Sequence, residues 1–120
     1  MSPRGPFSIR SEHAGTTLIV AVSGDVDIAS APEFEAALAH TLDDGRATGL
    51  IIDLNNVSFI DSTGLSALVR AFERFRWSGK DFALVSDDRR VAIMLEISRL
   101  DRLLKRYPSR DDALTAISQP

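Results

Sequence analysis

Three short apolar runs, Leu18-Ile19-Val20-Ala21-Val22, Leu50-Ile51-Ile52 and Phe82-Ala83-Leu84-Val85, are separated by segments whose apolar residues recur at helical spacing. This alternation constrains the chain more than any other feature. Each run is far too short to span a membrane and too uniformly apolar for a half-solvated strand, so each predicts a strand covered on both faces. Strands joined through helices at this spacing imply crossover connections, and hence a mixed sheet with helices packed on it.

Ahead of the first run, Phe7-Ser8-Ile9-Arg10 alternates, and His13-Ala14-Gly15 supplies the turn of a hairpin leading into Thr16 to Val22, which ends at Ser23-Gly24. Ser30-Ala31-Pro32-Glu33 predicts a helix start, with Ser as cap, Pro in the first turn and Glu at capping-box spacing. Ala31, Phe34, Leu38 and Leu42 continue that helix until Gly45, a residue suited to the left-handed turn beyond a helix end. Asp61 is the natural N-cap of the next helix, where Leu65, Leu68, Val69 and Phe72 form an apolar face that runs to Phe75 and stops near Gly79. Val91, Met94 and Leu95 predict a shorter helix after Asp87-Asp88. Leu103-Leu104 predicts the start of a last edge strand, and Ser109 with Asp112 caps a final helix carrying Ala113, Leu114 and Ile117. The order ββαβαβα(β)α describes an α/β domain, a mixed sheet of four to five strands with about four helices packed on it. Met1 to Pro6 reads as a flexible N-terminal tail and residues 7–120 as one domain, the size expected of a chain of 120 residues.

Composition removes whole classes of function. Fourteen basic residues against seventeen acidic ones leave no positive excess of the kind that binds a phosphate backbone, so nucleic acid is not an expected partner. Cysteine is absent and there are only two histidines, which excludes thiolate nucleophiles and thiolate zinc sites and leaves little for an imidazole metal cage. No cofactor or metal is expected. No run approaches the ~20 apolar residues of a membrane span, and Met1 to Phe7 lacks the hydrophobic region of a secretory signal, so a cytoplasmic location away from the membrane is the expectation.

Enzyme motifs fail on spacing. Gly79-Lys80 has Arg74 where a phosphate-binding loop needs glycine, and Asp81 where it needs Ser or Thr. Asp25-Val26-Asp27 opens like a calcium loop, but Ala29, Ser30 and Ala36 stand at the positions of a further ligand, the turn glycine and the bidentate glutamate. A nucleophilic Ser62 would need His13 or His40, which belong to a hairpin turn and a helix flank. Phe72, Phe75 and Trp77 read as core or groove lining, and Arg89, Arg90, Arg102, Lys105 and Arg106 as solvated faces.

Asp61-Ser62-Thr63-Gly64 is different. Taken alone it is a helix start with an Asp cap, two small hydroxyl residues and a glycine that allows close approach. A hydroxyl in the first turn also lies beside unpaired N–H groups at the positive end of the helix dipole, where an attached phosphate is accommodated without unfolding the domain. Ser62 and Thr63 are alternative acceptors, about 100° apart around the helix.

The run Val57-Ser58-Phe59-Ile60-Asp61-Ser62-Thr63-Gly64-Leu65 resembles the signature of the anti-sigma factor antagonists, the bacterial STAS-domain proteins. Ser23-Gly24-Asp25-Val26-Asp27 resembles their upstream Gly-acidic-apolar-Asp segment, at a matching distance, and the similarity spans Phe7 to Ile117. Ile97-Ser98-Arg99-Leu100 belongs to it as well, with Arg99 where relatives often carry glycine, a departure that bears on the conformation of that loop.

The resemblance implies a STAS-like fold and a binding switch with no catalysis of its own. Unphosphorylated, such a protein binds an anti-sigma factor that is itself a serine kinase, and so frees a sigma factor for transcription. Phosphorylation, here of Ser62 with Thr63 as the alternative, breaks the complex, and a PP2C-type phosphatase restores it. The recognition surface implied is Asp25, Asp27, Ile28, Ala29 and Ser30 together with Asp61, Ser62, Thr63, Gly64, Leu65 and Ser66. Nucleotide and metal belong to the partners, and no residue pattern fixes the oligomeric state. The alternative within the same fold is a subunit of a lipid-transport ABC system, or of a stress-signalling complex, without a phosphorylation cycle at Ser62.

Overall fold

The computed structural model describes residues 7–43, 45–57 and 59–118. The tail expected at residues 1–6 lies outside them, as does Ser58. Five strands, β1 (Ser8–Ala14), β2 (Thr17–Ser23), β3 (Gly49–Asn56), β4 (Asp81–Val85) and β5 (Arg106–Tyr107), form one sheet in the order β1-β2-β3-β4-β5. Only the β1–β2 hairpin is antiparallel. The helices are α1 (Ala31–Leu42), α2 (Ser62–Trp77), α3 (Arg89–Ile97) and α4 (Arg110–Ser118), and a 3-10 turn occupies Leu100–Arg102. The mixed sheet and its four helices match the expected architecture.

Strand alternation divides the apolar side chains into two layers. Leu18, Val20, Val22, Leu50, Ile52, Leu54 and Leu84 point toward Phe34 and Leu38 of α1, Leu68 and Phe75 of α2, and Val91 and Leu95 of α3. Ile19, Ile51, Ala83 and Val85 point the other way, to Ala113, Leu114 and Ile117 of α4. Asp53 shares the parity of Ile51 and therefore falls under α4, where the Arg110 Nε–H donates to it at 2.6 Å and Arg110 also pairs with Glu12 of β1. The hydrogen bond to Asp53, with Glu12 adding to it, raises the Arg110 pKa further above its ordinary value. A nearly buried carboxylate is thereby balanced, and α4 is pinned across the sheet.

Three local expectations are corrected. Gly45 does not end α1: the helix stops at Leu42, because the Asp43 N–H bonds the carbonyls of His40 and Thr41 and the Thr41 hydroxyl donates to that of Leu38. Leu103 and Leu104 do not begin a strand, since their N–H groups both turn back to the Leu100 carbonyl and Leu104 drops into the core; pairing with β4 starts at Arg106. Ser30 does not cap α1 through its side chain. Trp77 is 90% exposed and borders a groove of about 600 Å³ between α1 and α2, while Phe75 is buried.

Candidate functional site

β3 runs parallel to β2 and β4, so the chain leaves all three at one edge of the sheet. At that edge the loop after β2 and the start of α2 are joined. Val26 pairs with Ile60 in an isolated parallel bridge, the Val26 N–H donating to the Phe59 carbonyl at 2.9 Å and the Asp61 N–H to the Val26 carbonyl at 3.1 Å. Gly24, at φ +94°, donates to the Asn56 carbonyl at 3.2 Å. The two sequence segments singled out above are therefore one clamped rim.

Each half of the rim is fixed from within. Asp27 accepts from the N–H groups of Ala29 and Ser30 at 3.0 and 3.1 Å. The Ser30 hydroxyl donates to the Asp25 carbonyl at 2.7 Å and accepts from the Asp27 N–H at 3.0 Å, which is why it does not serve the helix behind it. Asp61 caps α2 as expected, its carboxylate accepting from the Gly64 N–H at 3.0 Å. A Cβ on Gly64 would stand 2.7 Å from side-chain carbons of both Ile60 and Val26 and 2.8 Å from the Val26 carbonyl oxygen. Only glycine lets α2 dock this closely on the Val26–Ile60 bridge.

The expected site residues thus separate by role. Ser62 is the first residue of α2 and is exposed, and Ser66 one turn on is exposed as well. Thr63 is half-buried. Asp25, Asp27, Ser30 and Asp61 are half-buried, Ala29 is exposed, and Ile28 projects with 76% of its surface free. Gly64 is buried and Leu65 packs against the core, so these two shape the rim and do not present side chains on it. Phe59, whose carbonyl accepts the Val26 N–H of the clamp, is exposed on the same rim and was not foreseen as a site residue. The one signal in its favour is an aromatic residue between the small Ser58 and the buried Ile60 in the motif run.

Neither His13 nor His40 belongs to the rim: His13, expected in the hairpin turn, is instead in β1, which stays paired with β2 through Ala14 so that the turn falls at Gly15 and Thr16, and His40 is in the last turn of α1. Among the described residues no group of three or more His, Asp or Glu is placed to hold a metal ion, and no helix is long and apolar enough to cross a membrane. What the arrangement offers is an accessible alcohol on a rigid acidic rim.

Comparison with known proteins agrees over nearly the whole chain. Residues 8–113 match the family model described as STAS domain. The anti-sigma-F factor antagonist RsfB of Mycobacterium tuberculosis is 28% identical over 107 residues, which is 89% of this chain and 85% of that one. The anti-sigma-B factor antagonist of Staphylococcus aureus is 31% identical over 85 residues, 71% of this chain and 78% of its own. A crystal structure of an anti-sigma factor antagonist from Mycobacterium paratuberculosis superposes with a TM-score of 0.89 at 30% identity, covering 95% of this chain and 96% of that one.

Proposed function

Since the chain belongs to the STAS-domain family of anti-sigma factor antagonists, regulatory proteins without catalysis of their own, we propose that its rim docks an anti-sigma factor kinase and is switched off by phosphorylation of Ser62. The observation that carries this reading is the exposed Ser62 hydroxyl at the first position of α2, beside the Asp25–Ser30 loop that the Val26–Ile60 bridge holds in place. The contact surface is Asp27 to Ser30 with Ser62, Thr63 and Ser66, and Ile28 supplies its apolar anchor. Thr63, half-buried and a helical step away, is the lesser acceptor. A phosphatase of the PP2C type returns the protein to its binding state.

The switch is electrostatic. A phosphate adds about −1.5 to −2 charge to a rim that already carries Asp25, Asp27 and Asp61. At ~4 Å a unit pair is worth about 1 kcal/mol in water and ~4 kcal/mol at an effective dielectric near 20. A dianion facing one anionic group on the partner therefore costs roughly 2–8 kcal/mol, a tenfold to many-thousandfold loss of affinity. The helix start tolerates the added charge, so the fold persists while the interface does not.

Titrating the cognate kinase with Ser62→Ala and Ser62→Asp tests the reading: the first variant binds like the unmodified chain and the second at least tenfold more weakly. Equal affinity of the two would sink it. Incubation with kinase and ATP adds the mass of one phosphate, and peptide mapping places it on Ser62; phosphate on Thr63 alone moves the acceptor, and no phosphate at all favours a constitutive subunit.

A further inference from the structure

We propose that the outer edge of β1 is a self-association surface, through which two copies of this chain pair antiparallel about a two-fold axis at Ser11 and join their sheets into one of twice five strands. β1 ends the strand order, and all of its residues from Ser8 to Ala14 are in continuous register with β2, without a bulge and without proline. Its outer side is therefore a regular row of backbone donors and acceptors. Sheets are usually protected against edge pairing by brevity, bulges, proline or charged side chains. The opposite edge is protected by brevity, since β5 is only Arg106–Tyr107. β1 has only the charges of Arg10 and Glu12, and these are opposite in sign, so they bar a mismatched strand and admit one whose charges alternate in the complementary sense.

Its side chains select the occupant. In an antiparallel pair with the two-fold axis perpendicular to the sheet, opposed residues share a face, so residues of equal parity must meet. A register centred on Arg10 sets Arg10 against itself, and one centred on Glu12 sets Glu12 against itself. Centred on Ser11, Arg10 of each copy faces Glu12 of the other, and opposite charges directly across a strand pair are favourable. The surrounding charges ask for this partner. On that face Glu12 and Asp53 share the single guanidinium of Arg110, while Arg10 is exposed and has no ion-pair partner among the described residues. A second copy brings a second cation to Glu12, which otherwise shares Arg110 with Asp53, and an anion to Arg10. The axis keeps the α1–α3 layers of both copies on one side and reverses the strands, so the two Ser62 rims lie at opposite ends and stay open. This inference does not depend on the phosphorylation reading.

Sedimentation of the full chain over a range of concentrations tests it. The unaltered chain forms a reversible dimer. Arg10→Glu and Glu12→Arg, each of which opposes like charges at both cross-strand pairs, raise the dissociation constant about tenfold or more, and an equimolar mixture of the two restores it. Circular dichroism confirms that each variant is folded. The register is read separately by cross-linking, because the chain has no cysteine of its own: Ser11→Cys forms an intermolecular disulfide under mild oxidation and His13→Cys, two positions off the axis on the same face, does not. A chain that stays monomeric at every concentration overturns the proposal. So does a mixture that associates no better than either variant, or a disulfide yield that is equal at positions 11 and 13.

Discussion

α2 and α3 begin at the same edge of the sheet, each behind a parallel strand and each under an aspartate cap, yet they present opposite surfaces. Asp61 bonds the third N–H of its helix, that of Gly64; Asp88 bonds the second, that of Arg90, at 2.8 Å. The first three positions of α2 are Ser62, Thr63 and Gly64, and those of α3 are Arg89, Arg90 and Val91. The Arg90 guanidinium closes back on Asp88 at 2.8 Å, and that hydrogen bond holds the Asp88 carboxyl below the usual carboxylate range. Ser86, the nearest hydroxyl to that start, is buried and bonds the Asp88 N–H. One cap is paired with its own arginine and leaves no accessible alcohol; the other stands beside the exposed Ser62 and the half-buried Thr63. The same capping chemistry yields a finished corner in α3 and a modifiable one in α2.

The helix ends differ too. α2 runs out at Ser78 into Gly79, left-handed at φ +74°, whereas α3 runs out at Ser98 into Arg99 at φ 61°, the one described non-glycine residue in that region. Arg99 thus holds a backbone conformation that ordinarily favours glycine.

These contrasts can be broken one at a time. Gly64→Ala pushes a methyl group into the Val26–Ile60 bridge, where Val91 meets no such wall at the matching position of α3; the expected loss is about 1–3 kcal/mol, read as a lower urea midpoint with an unchanged m-value. Removing either cap, Asp61→Ala or Asp88→Ala, costs about 1 kcal/mol, and under the proposed docking only Asp61→Ala also alters affinity for the kinase. Arg99→Gly relieves a left-handed side chain and stabilises by roughly 0.5–1 kcal/mol, and Gly79→Arg reverses the sign at the end of α2. The smallest effect is a pH dependence. Because the Asp88 pKa is depressed in the folded state, its contribution is present above the unfolded value of about 4 and is lost as pH falls through the folded value. Unfolding curves of the unaltered chain and Arg90→Ala separate above that range and converge below it.

Where a feature rested on nearest neighbours, the residues announced it. Asp61 caps the helix that follows it, as its place before an apolar helical face implied, and the apolar runs Leu18 to Val22, Leu50 to Ile52 and Phe82 to Val85, separated by helical segments, foretold the mixed sheet; the matching cap by Asp88 was not foreseen. Where tertiary contacts compete, local signals misled. Ser30 and Glu33 have capping-box spacing, but the Asp25 carbonyl lies within reach of the hydroxyl and takes it. Leu103 and Leu104 look like a strand, yet the 3-10 turn at Leu100 spends their amides and the core claims Leu104. The pressure on Gly64 comes from Val26, far away in sequence, so only folding reveals why that position tolerates no side chain.

The Val26–Ile60 bridge has a consequence for timing. With both loops tied to each other by backbone hydrogen bonds, the proposed mark on Ser62 would be read on a surface already formed. Under the proposed switch the protein is a one-bit register, written and erased at the pace of its visiting enzymes and legible the moment the bond to phosphorus forms or breaks.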